Sequence, residues 1–202
     1  MRVLLVWGSR YGGTEGIAGI IADELTRRGI ETTVRPASAG GRPNGYDAMI
    51  VGGGLYANRW HKDARRFVRA NTAFLRLHPT WFFSSGPLDD SADKGEIPPT
   101  REVMTLMERV GALGHATFGG RLAKDVKGFP AQAMAEKMSG DWRNESAIRA
   151  WAAEIADALP NARPGQAVDA PAGSFARLVG NCFLDFFLTH FNQGHCFFYL
   201  LG

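Results

Sequence analysis

Cysteine is scarce in this 202-residue chain: Cys182 and Cys196 are the only two, both close to the C-terminus. Two thiols so placed do not suggest a disulfide scaffold. Long apolar runs are missing as well. Even the aromatic-rich C-terminal stretch is interrupted by Asp185, His190, Asn192, Gln193 and His195, so it falls short of the roughly 20 residues that a membrane-spanning helix needs. Charge of one sign is not in excess: 23 Lys and Arg stand against 20 Asp and Glu, a net +3. The charges are interspersed and no basic block with aromatic interleaving occurs, so nucleic acid is not an expected partner. Two nucleotide motifs are also absent. Gly8, Gly12, Gly13 and Gly16 do not reproduce G-x-G-x-x-G, because position 10 is arginine, and no Gly-Lys-Ser/Thr follows to complete a Walker loop. No Ser-His-Asp or Cys-His nucleophilic arrangement is legible. The first apolar run begins directly after Met1-Arg2, which leaves no room for a signal peptide, and a cytoplasmic location is the expectation.

What is present is alternation. With 45% hydrophobic residues, the chain can bury a substantial core, and one domain plus an appendage is the expected organisation. Val3-Leu4-Leu5-Val6 is a continuous apolar run of the kind a buried parallel strand uses. After a polar, glycine-rich turn, Ile17, Ile20, Ile21 and Leu25 recur at helical spacing over Gly16 to Arg28. Strand signals return at Ile30–Val34, Asp47–Val51, Thr80–Ser84 and His115–Phe118. Helix signals lie between them at His61–Leu77 and from Pro98-Pro99 to Val110, and after them at Ile148–Leu159. Five strands alternating with helices predict an α/β doubly wound parallel sheet with helices on both faces, spanning residues 1–159.

A sheet of this kind places its ligand beyond the carboxyl ends of its strands, where strand order reverses. The segment Gly8-Ser9-Arg10-Tyr11-Gly12-Gly13-Thr14 stands at the first such end. Its main-chain N–H groups, the positive end of the following helix and the hydroxyls of Ser9 and Thr14 suit a phosphate. The same residues also suit a plain strand-to-helix turn in which Thr14 only caps the helix, and on their own they leave both readings open. At the second end, Gly53-Gly54-Leu55-Tyr56-Ala57-Asn58-Arg59-Trp60 combines small residues with two aromatics, Tyr56 and Trp60, whose flat faces suit a ring system. Ser84-Ser85-Gly86-Pro87-Leu88 is expected as a third wall and Gly119-Gly120-Arg121-Leu122 as a fourth. His61, the one histidine near these segments, is the candidate proton shuttle, with a solvated helix-start histidine as the plainer reading.

The pattern Ser9-x-x-Gly12-x-Thr14 resembles the phosphate loop of flavodoxin-like proteins. The likeness extends through Val51-Gly52 with Tyr56 and His61, Phe83-Ser84, Gly119-Gly120 with Leu122, Lys137-Met138-Ser139-Gly140 and Trp151–Ala156. These residues are similar to the flavodoxin-like family that includes menaquinone-dependent protoporphyrinogen IX dehydrogenase. The resemblance implies FMN as cofactor, with Ser9, Arg10, Tyr11, Gly12, Gly13 and Thr14 at its phosphate. It also implies Gly54, Leu55, Tyr56, Ser84, Ser85, Gly86, Pro87 and Leu88 around its ring system, Tyr56 as the stacking residue, and a small-molecule redox substrate or electron donor as partner. Where the dehydrogenase carries an arginine- and aromatic-rich insertion, Arg121–Ala135 here holds only Arg121, Lys124, Lys127 and Phe129. An electron carrier and a flavin-free binding module of the same fold are the alternatives. Carriers of this kind tend to be acidic, and this chain is mildly basic.

Residues 160–202 fall outside the resemblance. Pro160–Gly173 has linker composition, and Ser174–Gly202 carries Phe175, Phe183, Phe186, Phe187, Phe191, Phe197, Phe198 and Tyr199. An apolar helix face there is expected to dock over the domain, to lid the crevice, or to pair with a second copy as a homodimer. A membrane-surface role ranks below docking, since few cations accompany the aromatics. Cys182, His190, His195 and Cys196 match no familiar zinc spacing, and no metal is expected.

Overall fold

The computed structural model describes residues 1–124 and 139–165. The expectations placed on the aromatic tail, on the cysteine and histidine set within it and on residues 125–138 lie outside the described residues. In chain order the elements are β1 (Arg2–Gly8), α1 (Gly13–Arg27), β2 (Glu31–Pro36), β3 (Ala48–Tyr56), β4 (Arg59–Trp60), α2 (Lys62–Ala70), α3 (Thr72–Leu75), β5 (Thr80–Ser85), α4 (Ser91–Lys94), α5 (Arg101–Val110), β6 (Gly114–Phe118), β7 (Arg121–Leu122), β8 (Gly140–Asp141) and α6 (Glu145–Ala158).

Five of the strands form one parallel sheet in the order β2-β1-β3-β5-β6. This is the doubly wound arrangement expected from the alternation. The order reverses between β1 and β3, which pair from Val3↔Ala48 to Gly8↔Gly53. The two faces of the sheet carry separate cores. Val3, Leu5, Ala48, Ile50, Trp81 and Phe83 pack against Ile17, Ile21 and Leu25 of α1 and Ile148, Ala152 and Ile155 of α6. Leu4, Val6, Met49, Val51 and Phe82 pack against Ala64, Phe67 and Val68 of α2 and Val103, Leu106 and Val110 of α5. Each large side chain buried this way contributes about 1.5–3 kcal/mol. The period-two alternation of a strand thus decides, residue by residue, which helical layer each side chain meets.

The same alternation explains the glycine run in β3. A Cβ on Gly52 would collide with the ring of Phe83 on one face, and a Cβ on Gly53 with the indole of Trp60 on the other. These two glycines admit bulky core neighbours; they do not admit a ligand. α1 is tied to α6 by the buried carboxylate of Glu24, which accepts from Arg27 and Arg28 and lies 3.8 Å from Arg149. The bond from Arg28 holds the Glu24 carboxyl below its usual range, against the opposing effect of burial.

Several details differ from the sequence expectations. β3 runs on to Tyr56 and turns back into β4, an antiparallel hairpin pairing Leu55↔Trp60 and Tyr56↔Arg59. The helix expected over His61–Leu77 breaks at Asn71, whose side-chain amide donates to the Phe67 carbonyl at 2.9 Å. Pro98 and Pro99 precede α5 without starting it: Thr100 is its N-cap, and Gly111 closes it in the left-handed region at φ 67°.

Candidate functional site

A cleft of about 390 Å³ opens at the carboxyl edge of the sheet. It is lined by Ser9, Arg10, Tyr11, Gly13 and Thr14 after β1, and by Gly54–Ala57 at the end of β3. Ser85, Gly86 and Leu88 after β5, and Gly120–Leu122 after β6, complete it. Four strand ends that the sequence marks separately are therefore brought to one place.

The first end is formed as follows. Gly12 takes φ 78° as the N-cap of α1, a conformation that glycine adopts without steric penalty, and no side chain caps the helix. The N–H groups of the first turn are left without an intrahelical acceptor where the loop lines the cleft. Thr14 is buried, and its hydroxyl stands 3.0 Å from where a Cβ on Gly54 would lie. An uncapped helix start with hydroxyls beside it is an anion site in its general physics. A bulkier residue at Gly13 would press on the main chain of Arg121 at 3.1 Å, so the segment after β6 closes directly over this end.

The remaining walls are held by main-chain bonds. Gly86 N–H donates to the Phe118 carbonyl at 3.1 Å, Gly120 to Pro87 at 2.7 Å and Trp142 to Gly120 at 3.0 Å. Leu55, Leu88 and Leu122 give these walls an apolar character. The charged residues on the lining are Arg10 and Arg121, with no carboxylate among them. Asp141 lies 3.9 Å from Arg121 and accepts from Arg143, which holds its carboxyl low and therefore charged.

Several candidates are placed differently from the sequence reading. Trp60 is buried in the α2 side of the core, tilted on Phe82 with centroids 4.9 Å apart, and gives the cleft no face. Ser84 points the same way, accepting from the Trp60 indole N–H at 2.8 Å and lying 2.9 Å from His115 Nε2, so only Ser85 of that pair lines the cleft. His61 is not on the lining either. It is the N-cap of α2, its Nδ1 accepting from the Asp63 N–H at 3.4 Å, and its ring stands edge-on to Tyr56 at 5.9 Å. Burial pushes the His61 pKa down, against the opposing charge of Asp63. Gly12 and Pro87 shape the loops without lining the cleft.

Tyr56 is on the lining, but its ring lies across the first loop, with its hydroxyl accepting from the Arg10 N–H at 2.8 Å. Ala57 was not singled out by sequence, nor was the partnership of Ser84 with the part-buried His115. A histidine in a short strand segment carries no pattern to mark it.

A parallel sheet ordered 2-1-3-4-5 in its main strands, with an uncapped glycine loop after the first strand and a cleft at the switch point, defines a flavodoxin-like α/β protein. The chain belongs to the Flavodoxin domain family, whose pattern it matches over residues 4–141. Family membership implies a flavin as the class of cofactor. Protoporphyrinogen IX dehydrogenase (quinone) of Escherichia coli strain K12 is 28% identical over 86 residues, which is 42% of this chain and 48% of that protein. The chain thus spans about half the length of the curated relatives it matches. Among solved structures, a flavodoxin from the domain Archaea superposes with a TM-score of 0.55 at 13% identity, over 80% of this chain and all of that one. Rubredoxin oxygen:oxidoreductase of Desulfovibrio gigas does so with 0.54 at 14% identity, over 79% of this chain and 36% of its own. These superpositions establish the fold. Among the described residues no helix is long and apolar enough to cross a membrane, and no group of acidic, histidine or cysteine side chains is arranged to hold a metal.

Proposed function

We propose that the chain is an FMN-dependent oxidoreductase acting on a small redox substrate. The observation that carries this reading is that one cleft joins two kinds of lining: uncapped N–H groups and hydroxyls from the first loop, and the apolar side chains of Leu55, Leu88 and Leu122. A flavin mononucleotide has the two matching parts, a phosphate and a flat ring. Ser9, Thr14 and the first-turn N–H groups would hold the phosphate, with the guanidinium groups of Arg10 and Arg121 adding favourable charge. The leucines and the main chain at Ser85 and Gly86 would exclude water from the ring and fix its edge. When bound, the flavin supplies the electron-transfer chemistry; the protein supplies position and field. The lining holds no histidine, cysteine or carboxylate among the described residues, so the proton of a two-electron reduction would come from solvent or substrate.

The electron-carrier reading shares this site and differs in its partner. The mild positive charge of the chain supports the enzyme reading over a carrier with an acidic docking face.

Protein purified from cells and scanned in the visible range is expected to be yellow, and stripped protein to take up about one FMN per chain in a fluorescence titration. Failure of the stripped protein to bind added FMN overturns the proposal. Turnover of reduced FMN-loaded protein with quinones, compared with transfer to a protein acceptor alone, separates enzyme from carrier.

A further inference from the structure

The hydrogen bond from the Arg10 N–H to the Tyr56 hydroxyl gives that side chain a different task from stacking. Building on the FMN reading, we infer that Tyr56 is a phosphate-end residue: its hydroxyl completes the anion cradle and makes the site select a phosphorylated flavin over its unphosphorylated form. Three observations lead there. The phenol oxygen is already spent as an acceptor for a loop N–H at 2.8 Å, which leaves its own proton to donate. The hydroxyls of Tyr56 and Thr14 converge: a Cβ on Gly54 would lie 3.2 Å from the first and 3.0 Å from the second. The absence of a side chain at Gly54 is what lets both reach one place. Finally, the ring is clamped. Tyr11 stands edge-on to it at 6.0 Å and His61 at 5.9 Å, and its main chain is paired with Arg59 in the hairpin. A ring with two aromatic neighbours that is tied at its tip stays where it is when a ligand enters; its hydroxyl is then a fixed donor beside Thr14.

The test is a pair of dissociation constants, for FMN and for riboflavin, measured by fluorescence quenching on wild-type protein and on Tyr56→Phe. Phenylalanine keeps the ring and deletes only the hydroxyl. A phosphate donor predicts that FMN binding weakens about tenfold or more while riboflavin binding stays within about twofold, since a hydrogen bond to a charged group is worth that much. Unchanged affinity for both flavins, the result a stacking residue gives, overturns the inference. So does tighter FMN binding, which would make the hydroxyl a placeholder that the phosphate must displace. Wild-type protein that binds FMN with an unaltered ratio in the variant sinks this inference alone, whereas wild-type protein that binds no FMN sinks the functional reading and the inference with it. Gly54→Ala is the second variant, needed if Tyr56→Phe unfolds: its methyl wedges between the two hydroxyls and is expected to lower FMN binding more than riboflavin binding. An equal loss for both flavins counts against the inference.

Discussion

Tyr56 and Trp60 stand four residues apart in one hairpin, and the surroundings of each are made from the same kinds of parts: an aromatic, a hydroxyl and a histidine. Around Tyr56 these are Tyr11 and Thr14, on the cleft lining, and His61 beside the ring. Around Trp60 they are Phe82 and Ser84, buried on the α2 side of the core, and the part-buried His115. In this second cluster the polar atoms turn to partners inside the protein and not to the cleft. The Trp60 N–H has Ser84; the Ser84 hydroxyl reaches His115 Nε2; His115 Nδ1 is buried with no partner. In the first cluster, the hydroxyl-bearing residues Tyr11, Thr14 and Tyr56 lie on the cleft lining. The lesson is that access to the cleft, and not residue type, separates a binding site from a structural one here. Changes around Trp60 should therefore cost stability, and changes around Tyr56 should cost affinity.

The largest effect is expected from Trp60→Ala. The indole is essentially fully buried, and the Cβ of Gly53 is missing to make room for it. Its removal leaves a cavity under β3 and takes from the Ser84 hydroxyl one of its two partners, so denaturant unfolding should show a loss of about 3–5 kcal/mol. A loss below about 1 kcal/mol would mean that the cluster is not structural and that the contrast with Tyr56 is false.

Next comes acid sensitivity. Burial lowers the His115 pKa from an ordinary 6.5 to about 4. Above 6.5 the imidazole is neutral whether the chain is folded or unfolded, and it contributes no pH dependence. As pH falls below 6.5 the unfolded chain takes up a proton that the folded one refuses, so stability declines until about pH 4, by at most about 3 kcal/mol. His115→Gln should flatten the stability profile across that window, read from unfolding midpoints at closely spaced pH values. A profile identical to wild type would show that the histidine is not sealed from protons. His61, lowered by burial but opposed by Asp63, contributes in the same direction.

The sheet was legible in the sequence because its signals are local: a run such as Val3–Val6 or Thr80–Ser84 announces a buried strand without reference to any partner. The convergence of four strand ends followed from the α/β topology. The two sides of the hairpin were not legible, and the reason lies in its turn. Ala57 and Asn58 occupy a two-residue loop with φ 49° and 59°, the left-handed pair of a type I′ turn, which ordinarily announces itself by Asn-Gly or Asp-Gly. Ala-Asn gives no such signal. Without the turn there is no register, and without register there is no telling that Leu55 and Trp60 share one face while Tyr56 takes the other. Ser84 and Ser85 were inseparable for the same reason, since a single residue of parity sends one into the core and the other to the cleft. The bond between Tyr56 and Arg10, 46 positions apart, has no sequence signature at all.

That turn supplies the smallest of the expected effects, and a check on how the two clusters are joined. Alanine in the left-handed region is strained by about 1 kcal/mol, because its Cβ crowds the following carbonyl, whereas asparagine tolerates the region better. Ala57→Gly relieves the strain while giving back some backbone entropy in the unfolded chain. The balance should favour the folded state by up to about 1 kcal/mol, or a rise of about 2–4 °C in Tm. Asn58→Gly should gain less. If Tyr56 is placed by its pairing with Arg59 and its bond to Arg10, relaxing the turn leaves the relative affinity for FMN and riboflavin as it was. A gain in Tm accompanied by a shift in that ratio would show instead that the strained turn itself aims Tyr56 at the loop. The two clusters would then be coupled through two residues of backbone and could not be tuned independently.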